Sequence, residues 1–269
     1  MAIQALNSAA TGLRALSTRI DVIANNLANA ETMAFKRSST NFEDLMYLTL
    51  RQPGAQNSSG DVSPTGLFVG LGTKLSNTTI DLEQGPLDQT NGPLDMAIQG
   101  NGFFQVKTIP SIGNGVGYTR AGNFVQNKDG DLILNIGDGY RLIPPINIPR
   151  GASQITIGTD GTVSYLKPGA TARSTAGQMQ IAQFTNAQGL QLLGGSIYVE
   201  TDASGPPIVS NPGEQGSGQI LQGFTEGSNV DPVKELVTLI KTQRSFELNS
   251  QSIQTANQAL QTIGNLGKS

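Results

Sequence analysis

Both ends of this chain carry the same long apolar rhythm, and that rhythm restricts its possible folds more than any other feature. Near the start, Ile3, Leu6, Ala10, Leu13, Ser17, Ile20, Ala24 and Leu27 follow one another at alternating steps of three and four. That is the seam of a helix packed lengthwise on another helix. Leu16 and Ile23 widen the seam, while Gln4, Asn7, Thr11, Thr18 and Asp21 make the opposite face polar. At about 1.5 Å per residue this helix reaches roughly 40 Å, so it needs a partner of similar length. The partner lies at the other end. Leu239, Thr242, Phe246, Asn249, Ile253, Ala256, Leu260 and Ile263 repeat the spacing, with Leu236 and Ile240 broadening its start. Asp231 followed by Pro232 predicts an N-cap with proline in the first turn. Gly264 and Gly267 let the helix fray and stop.

Everything between the two seams is patterned as β structure and turns. Short apolar alternations run over 103–106, 132–134, 155–157, 163–165, 178–184 and 197–200, and the stretch from Leu67 to Leu87 is strand-like. Asp129-Gly130 and Asp160-Gly161 sit where tight hairpins turn. Ile146 and Ile148, flanked by Pro144, Pro145 and Pro149, predict an edge strand or extended connector. Gly205-Pro206-Pro207 and Asn211-Pro212-Gly213 mark the return path to the last helix. The expected fold class is therefore α+β, with N- and C-terminal helices paired as a coiled coil and an antiparallel β domain inserted between them. The expected division is 1–30 with 231–269 as the helical part, 31–94 with 205–230 as a connector, and 95–204 as the β-rich part.

Composition narrows the chemistry. Charged residues make up 14% of the 269 and the formal net charge is −3, against a usual ~25% charged, which removes the electrostatic case for nucleic acid. No apolar run approaches the ~18–20 residues of a spanning helix. The absence of any basic residue before Arg14, and of a continuous apolar core there, argues against a cleavable secretory signal. The chain has no Cys and no His. Thiol chemistry, thiolate metal sites and Ser-His-Asp arrangements are thus excluded. An enzyme would need two convergent carboxylates in an apolar cleft, but the acidic residues fall mostly in turns and at helix ends. A monomeric binding module has no use for two long terminal seams. A structural subunit explains both, and no catalytic residue, cofactor or metal is expected.

Local motifs divide between two meanings. The run Ala24-Asn25-Asn26-Leu27-Ala28-Asn29 is too rich in Asn for a comfortable helix interior. Either it ends the helix, with Asn29 or a neighbour in the left-handed conformation, or its amides bond between chains and set register. Phe42, Leu45, Met46 and Leu50 suggest a short amphipathic helix, running into a loop broken at Pro53-Gly54. The turn Gly100-Asn101-Gly102 precedes a strand rather than a helix N-terminus, which argues against a phosphate site. Asp129, Asp131 and Asp138 lack the bidentate Glu that a calcium loop requires. Arg120 reads as an interfacial or hairpin charge.

Several of these pieces together carry a family resemblance. Ala24 to Asn29 with Thr32 and Phe35-Lys36-Arg37, then Ser228-Asn229-Val230 and Gln243-Arg244-Ser245-Phe246-Glu247, resemble the bacterial flagellar rod and hook family. The segments 99–106 and 118–124 also look like that family's pieces, so the resemblance spans the chain. Asn25, Asn26, Asn29, Phe35, Lys36, Arg37, Asn229, Gln243, Arg244 and Glu247 are the positions that match its motifs. Ala34 stands where the family usually has Gly, which suggests a less strained turn, and Phe246 stands where Tyr is common. Between Phe42 and Gly72, the pieces 42–47 and Arg51-Gln52-Pro53-Gly54-Ala55-Gln56 are similar to the family's distal-rod members, with an extended loop over about 47–64.

The resemblance implies a mechanical role. Terminal helices would stack into an inner tube through Ile3, Leu6, Leu13, Ile20, Leu27, Leu239, Phe246, Ile253, Leu260 and Ile263. The β domain would form the outer layer, and Arg51, Gln52, Pro53, Gly54 and Gln56 would stiffen the tube. The implied partners are copies of itself, proximal rod proteins, the hook protein, the periplasmic and outer-membrane ring (bushing) proteins and the flagellar export apparatus, with no nucleic acid. The implied place is the basal body between periplasm and outer membrane, reached by type III export without a cleaved signal peptide. The alternative is a proximal rod or hook-type subunit of the same family.

Overall fold

Two helices bracket the chain, as the spacing predicts. The structure, a computed structural model, describes residues 2–54, 64–109, 113–137, 139–169 and 172–266. Gln56, Asp138 and Gly267 lie outside the described residues, as do the side chains of Ile3 and Ile263. Helix α1 spans Ala2–Ala28 and α2 spans Pro232–Leu266. Asp231 caps α2 as expected: its Oδ1 accepts from the Val233 and Lys234 N–H groups at 3.0 and 3.1 Å. All strand pairs with a defined register are antiparallel. The α+β class, with terminal helices and an antiparallel β body, is the architecture found.

The chain forms two compact units. The first contains residues 1–28, 38–79 and 231–269, and the second 29–37 and 80–230.

In the first unit α1 and α2 pack against each other. A Cβ built on Gly12 would stand 3.1 Å from Asn249 Nδ2, and Asn26 Nδ2 lies 3.4 Å from Glu235 Oε2. These two crossings are fourteen residues apart on both helices, so the pair is antiparallel. The strand Ser38–Asp44 pairs with Thr73–Ile80, and Tyr47–Arg51 pairs with Leu67–Gly70. The helix expected over 42–50 is thus absent and two strands stand in its place. Its four apolar residues have helical spacing by coincidence, and Phe42, Tyr47 and Thr49 favour the pleated state in which each finds a partner strand. At the join, Gly72 has φ +115 and a Cβ there would collide with Thr11 Oγ1 of α1, so only glycine lets the ribbon come this close.

In the second unit the main sheet runs in the order 191–194, 197–199, 116–119, 103–107, 141–143, 132–134 and 124–126, and 181–183 pairs with both 103–107 and 208–210. Asp129-Gly130 and Asp160-Gly161 turn the hairpins as expected, between 124–126 and 132–134 and between 153–157 and 162–166. Alternate strand positions supply the core, in which Met96, Ile98, Phe104, Leu134, Ile148, Val163, Met179 and Ile181 have no exposure. Phe103, Tyr118, Ala182 and Tyr198 form a second cluster, where Tyr118 and Phe184 meet edge to face at 4.7 Å.

Candidate assembly surfaces and the motif clusters

The expected seam residues of α1 all lie on the helix, but its deepest line is turned by one residue. Gly12, Ala15, Ile23 and Asn26 are buried, whereas Leu6, Leu13, Ile20 and Leu27 are half-buried. On α2 the buried line Glu235, Thr242 and the half-buried Asn249 follows the predicted side, with Leu239, Phe246, Ile253 and Leu260 half-buried beside it. Leu236 and Ile240, expected to widen that seam, are 45% and 49% exposed, and Val233 and Leu248 reach 70% and 64%. A row of apolar side chains on α2 therefore faces away from α1.

The ribbon is similarly uncovered. Arg51 and Gln52-Pro53-Gly54 are exposed, and so are Met46, Tyr47, Leu50, Leu67 and Phe68, each by more than half. A two-stranded ribbon is marginal by itself in water, so these side chains call for something to pack on.

The Asn-rich run ends the helix, at Ala28, but without a left-handed asparagine, since no residue of 24–29 has a positive φ. Asn26 is 1% exposed, and its amide grips one residue beyond the turn. Its Nδ2 donates to Ser38 O at 2.8 Å and its Oδ1 accepts from Ser38 N at 3.0 Å. The amide thus copies one step of a β-ladder and ties the first strand to α1. Asn25 is exposed, while Asn29 is half-buried and accepts from Thr32 Oγ1 through its Oδ1 at 3.1 Å.

Phe35-Lys36-Arg37 and Asn229 meet in the second unit. Asn229 Oδ1 accepts from Arg37 N at 2.7 Å and its Nδ2 donates to Asp81 O and Glu83 O at 2.9 and 3.1 Å. The backbone N–H of Asn229 donates to Phe35 O at 3.3 Å. Between these segments Lys36 Nζ stands 2.6 Å from Glu226 Oε1, both side chains having no exposure, and also donates to Glu83 O at 2.6 Å. Arg120 Nη1 comes within 3.5 Å of Glu226 Oε2. Arg120 is thus no hairpin charge but part of a buried triad. Burial pushes Lys36 below its ordinary pKa against the pull of Glu226, and burial lowers Arg120 likewise. Burial also raises the neighbouring Tyr198, with the Glu226 charge adding to it, and raises Tyr118 to about 12, with help from Glu200. The sequence marked Lys36 by its motif, but Glu226 bore no signal at all.

Gln243, Arg244 and Glu247 are exposed on α2. Among the described residues no group of three or more acidic side chains is arranged to hold a metal ion, and no helix is long and apolar enough to cross a membrane.

Terminal helices bracketing an antiparallel β unit, with apolar rows left exposed on α2 and on the ribbon, are the features on which comparison with known families bears. Residues 6–36 match the flagella basal body rod protein model, 97–165 the D1 domain of the flagellar hook protein FlgE/F/G, and 221–266 the C-terminal model of the flagellar basal body rod FlgEFG proteins. The chain belongs to the flagellar rod and hook family, whose members are structural proteins. Within it the whole-length similarity is to rod proteins. The chain is 43% identical to the flagellar basal-body rod protein FlgG of Caulobacter vibrioides, over 98% of this chain and 99% of that one. It is 36% identical to the FlgG of Bacillus subtilis, over 98% and 99%. To the rod protein FlgF of Caulobacter vibrioides it is 33% identical, over 94% of each.

Proposed function

We propose that this chain is the repeating subunit of the distal rod, a straight, stiff tube of the flagellar basal body that carries torque from the motor to the hook. The observation that carries this reading is the apolar surface that a single chain leaves uncovered. On α2 Val233, Leu236, Val237, Ile240 and Leu248 are exposed at steps that keep them on one side of a helix, and the rows around Leu13 and Ile253 are covered only in part. Neighbouring copies would cover them, so that 1–30 and 231–269 form the coiled-coil wall of an inner tube. On this reading 31–94 with 205–230 connects that wall to an outer layer, 95–204. The partners are copies of the chain, proximal rod proteins below, the hook protein above, ring proteins around the tube, and the export apparatus that delivers the subunit. Similarity over nearly the whole length of FlgG chains supports this over the hook alternative.

Electron microscopy of the concentrated protein tests it, with straight tubes as the expected product. Leu13→Asp and Ile253→Asp place a carboxylate in the proposed wall, which costs several kcal/mol when unpaired. Both variants should lose tube formation while the β-rich unit keeps its melting transition. Amorphous aggregates from the parent chain, or tubes from either variant, would overturn the reading.

A further inference from the structure

A cleft of about 320 Å³ opens on the second unit beside the buried triad. Arg120, Phe103 and Phe184 line it together with Asn101, Gln183 and Thr185, and no acidic side chain is among its lining residues. Arg120 is 4% exposed, yet its buried Nε has no hydrogen-bond partner. Its Nη1 reaches Ile98 O at 3.4 Å and Glu226 Oε2 at 3.5 Å, both at the far limit of hydrogen bonding. The carboxylate itself is committed elsewhere. Glu226 Oε1 takes Lys36 Nζ at 2.6 Å and the Gly85 N–H at 3.0 Å. Two buried cations thus share one carboxylate, and the guanidinium is the one left short.

A buried guanidinium without a close counter-ion is costly, and its planar fork of donors matches a carboxylate better than any other common anion in protein. Phe103 lies 5.4 Å from Arg120 Cζ, so one face of the cation is already covered by an aromatic ring while the residue still contributes to the cleft lining. The cleft volume is at the small end for ligand sites, enough for an acidic side chain and the apolar stem that would lie along Phe184. We propose that this cleft is a carboxylate-binding site whose ligand completes the coordination of Arg120, and that in the assembled polymer an acidic side chain of a second copy of this chain supplies it. The second half rests on the rod-subunit reading above; the first does not.

Benzoate is the probe, with benzamide as its neutral isostere, titrated into dilute full-length protein while the Arg120 Nε resonance is followed by NMR. A saturable shift with benzoate is expected, with at least tenfold weaker binding of benzamide. Thr185→Trp, at an exposed rim position away from the buried charges, should fill the cleft and weaken benzoate at least tenfold without changing the melting transition. No saturable shift, equal binding of benzamide, or unchanged binding in Thr185→Trp each overturns the site. For the second copy, saturating benzoate and Thr185→Trp should each slow tube growth at least tenfold. If benzoate binds at Arg120 and neither treatment alters growth, the second copy is overturned as the source and a free carboxylic acid takes its place. If the parent chain forms no tubes at all, the rod-subunit reading falls while the monomer titration still decides the cleft.

Discussion

Asn26 holds both backbone groups of Ser38, donating to its carbonyl at 2.8 Å and accepting from its N–H at 3.0 Å. A side-chain amide has the same donor and acceptor as a peptide group, so one buried residue on α1 serves as a strand partner where no strand exists. Residues 29–37 lie between the two anchor points and belong to the second unit. The tether therefore fixes where the chain re-enters the first unit after its excursion.

Asn26→Ala should destabilise the first unit by about 2 kcal/mol, since it leaves two part-buried backbone groups of Ser38 without partners, each at the low end of ~1–3 kcal/mol. Asn26→Asp should be worse than its size suggests, because it sets an oxygen against Ser38 O and against the Glu235 carboxylate, 3.4 Å from Nδ2 in the parent chain. Urea unfolding gives the magnitude and amide exchange at Ser38 gives the location. Unchanged protection at Ser38 in Asn26→Ala would show that the strand is held by its pairing alone.

The buried triad predicts an order of effects. Lys36→Met removes one of two cations from Glu226 and should cost about 3 kcal/mol, typical of breaking a buried ion pair. Glu226→Gln should cost more, because it strands Lys36 and Arg120 together. Urea midpoints of the two variants at neutral pH check the ranking. A smaller effect from Glu226→Gln would mean that the two cations are satisfied by the backbone carbonyls of Glu83 and Ile98.

Much of this was legible in the sequence, and the misreadings share a cause. Periodicity located both helices, Asp231-Pro232 placed the start of α2, and the Asp-Gly pairs located two hairpins, because each rests on chemistry within a few residues. Which face of α1 would be deepest was not legible. The buried line uses Gly12, Ala15 and Asn26, chosen for close approach and for a hydrogen bond, and a count of apolar side chains gives such residues no weight. The strands 47–51 and 67–70 define each other by pairing across an intervening segment, so the helical spacing at Phe42, Leu45 and Met46 misled. Ala34 was expected to relax its turn; instead it has φ 54 and no exposure. Its N–H is fixed to Glu226 O at 2.8 Å, so the surroundings hold it in the left-handed conformation in spite of its side chain. Arg120 and Glu226 are joined across 106 positions of chain, and nothing local announces such a pair.

The cap of α2 carries an acid-side dependence. The Asp231 carboxyl is held below its ordinary range chiefly by the hydrogen bond from the Lys234 N–H. An acid whose folded value is depressed contributes stability that is present above its unfolded value near 4 and is lost as pH falls through the folded value. Asn caps as well as Asp but does not titrate. Asp231→Asn should therefore match the parent chain at neutral pH and show a shallower loss of helical signal on acidification, measured by circular dichroism. Parallel acid profiles in the two proteins would remove Asp231 from the titration.

The last prediction concerns the ribbon and the stretch of chain that joins its two strands. In a curved tube, subunits on the inside and outside of the bend slide past each other during rotation, whereas a straight shaft must prevent that sliding. Contacts that one spacing makes and another breaks would prevent it. The ribbon Tyr47–Arg51 with Leu67–Gly70 is suited to supply them, because Tyr47, Leu50, Leu67 and Phe68 are more than half exposed on a single chain. Pro53 stiffens the exit from the ribbon by fixing one backbone angle. Even about 1 kcal/mol per copy, repeated in every subunit, biases a long tube strongly towards one state. Deleting Arg51 to Pro64 removes the end of one strand and the connection beyond it while leaving α1, α2 and the second unit intact. Such a chain should still form tubes, but curved or flexible ones, and electron micrographs give the persistence length directly. Straight tubes of normal stiffness from the deleted chain would show that the segment is a surface loop and that the helices alone set the shape of the tube.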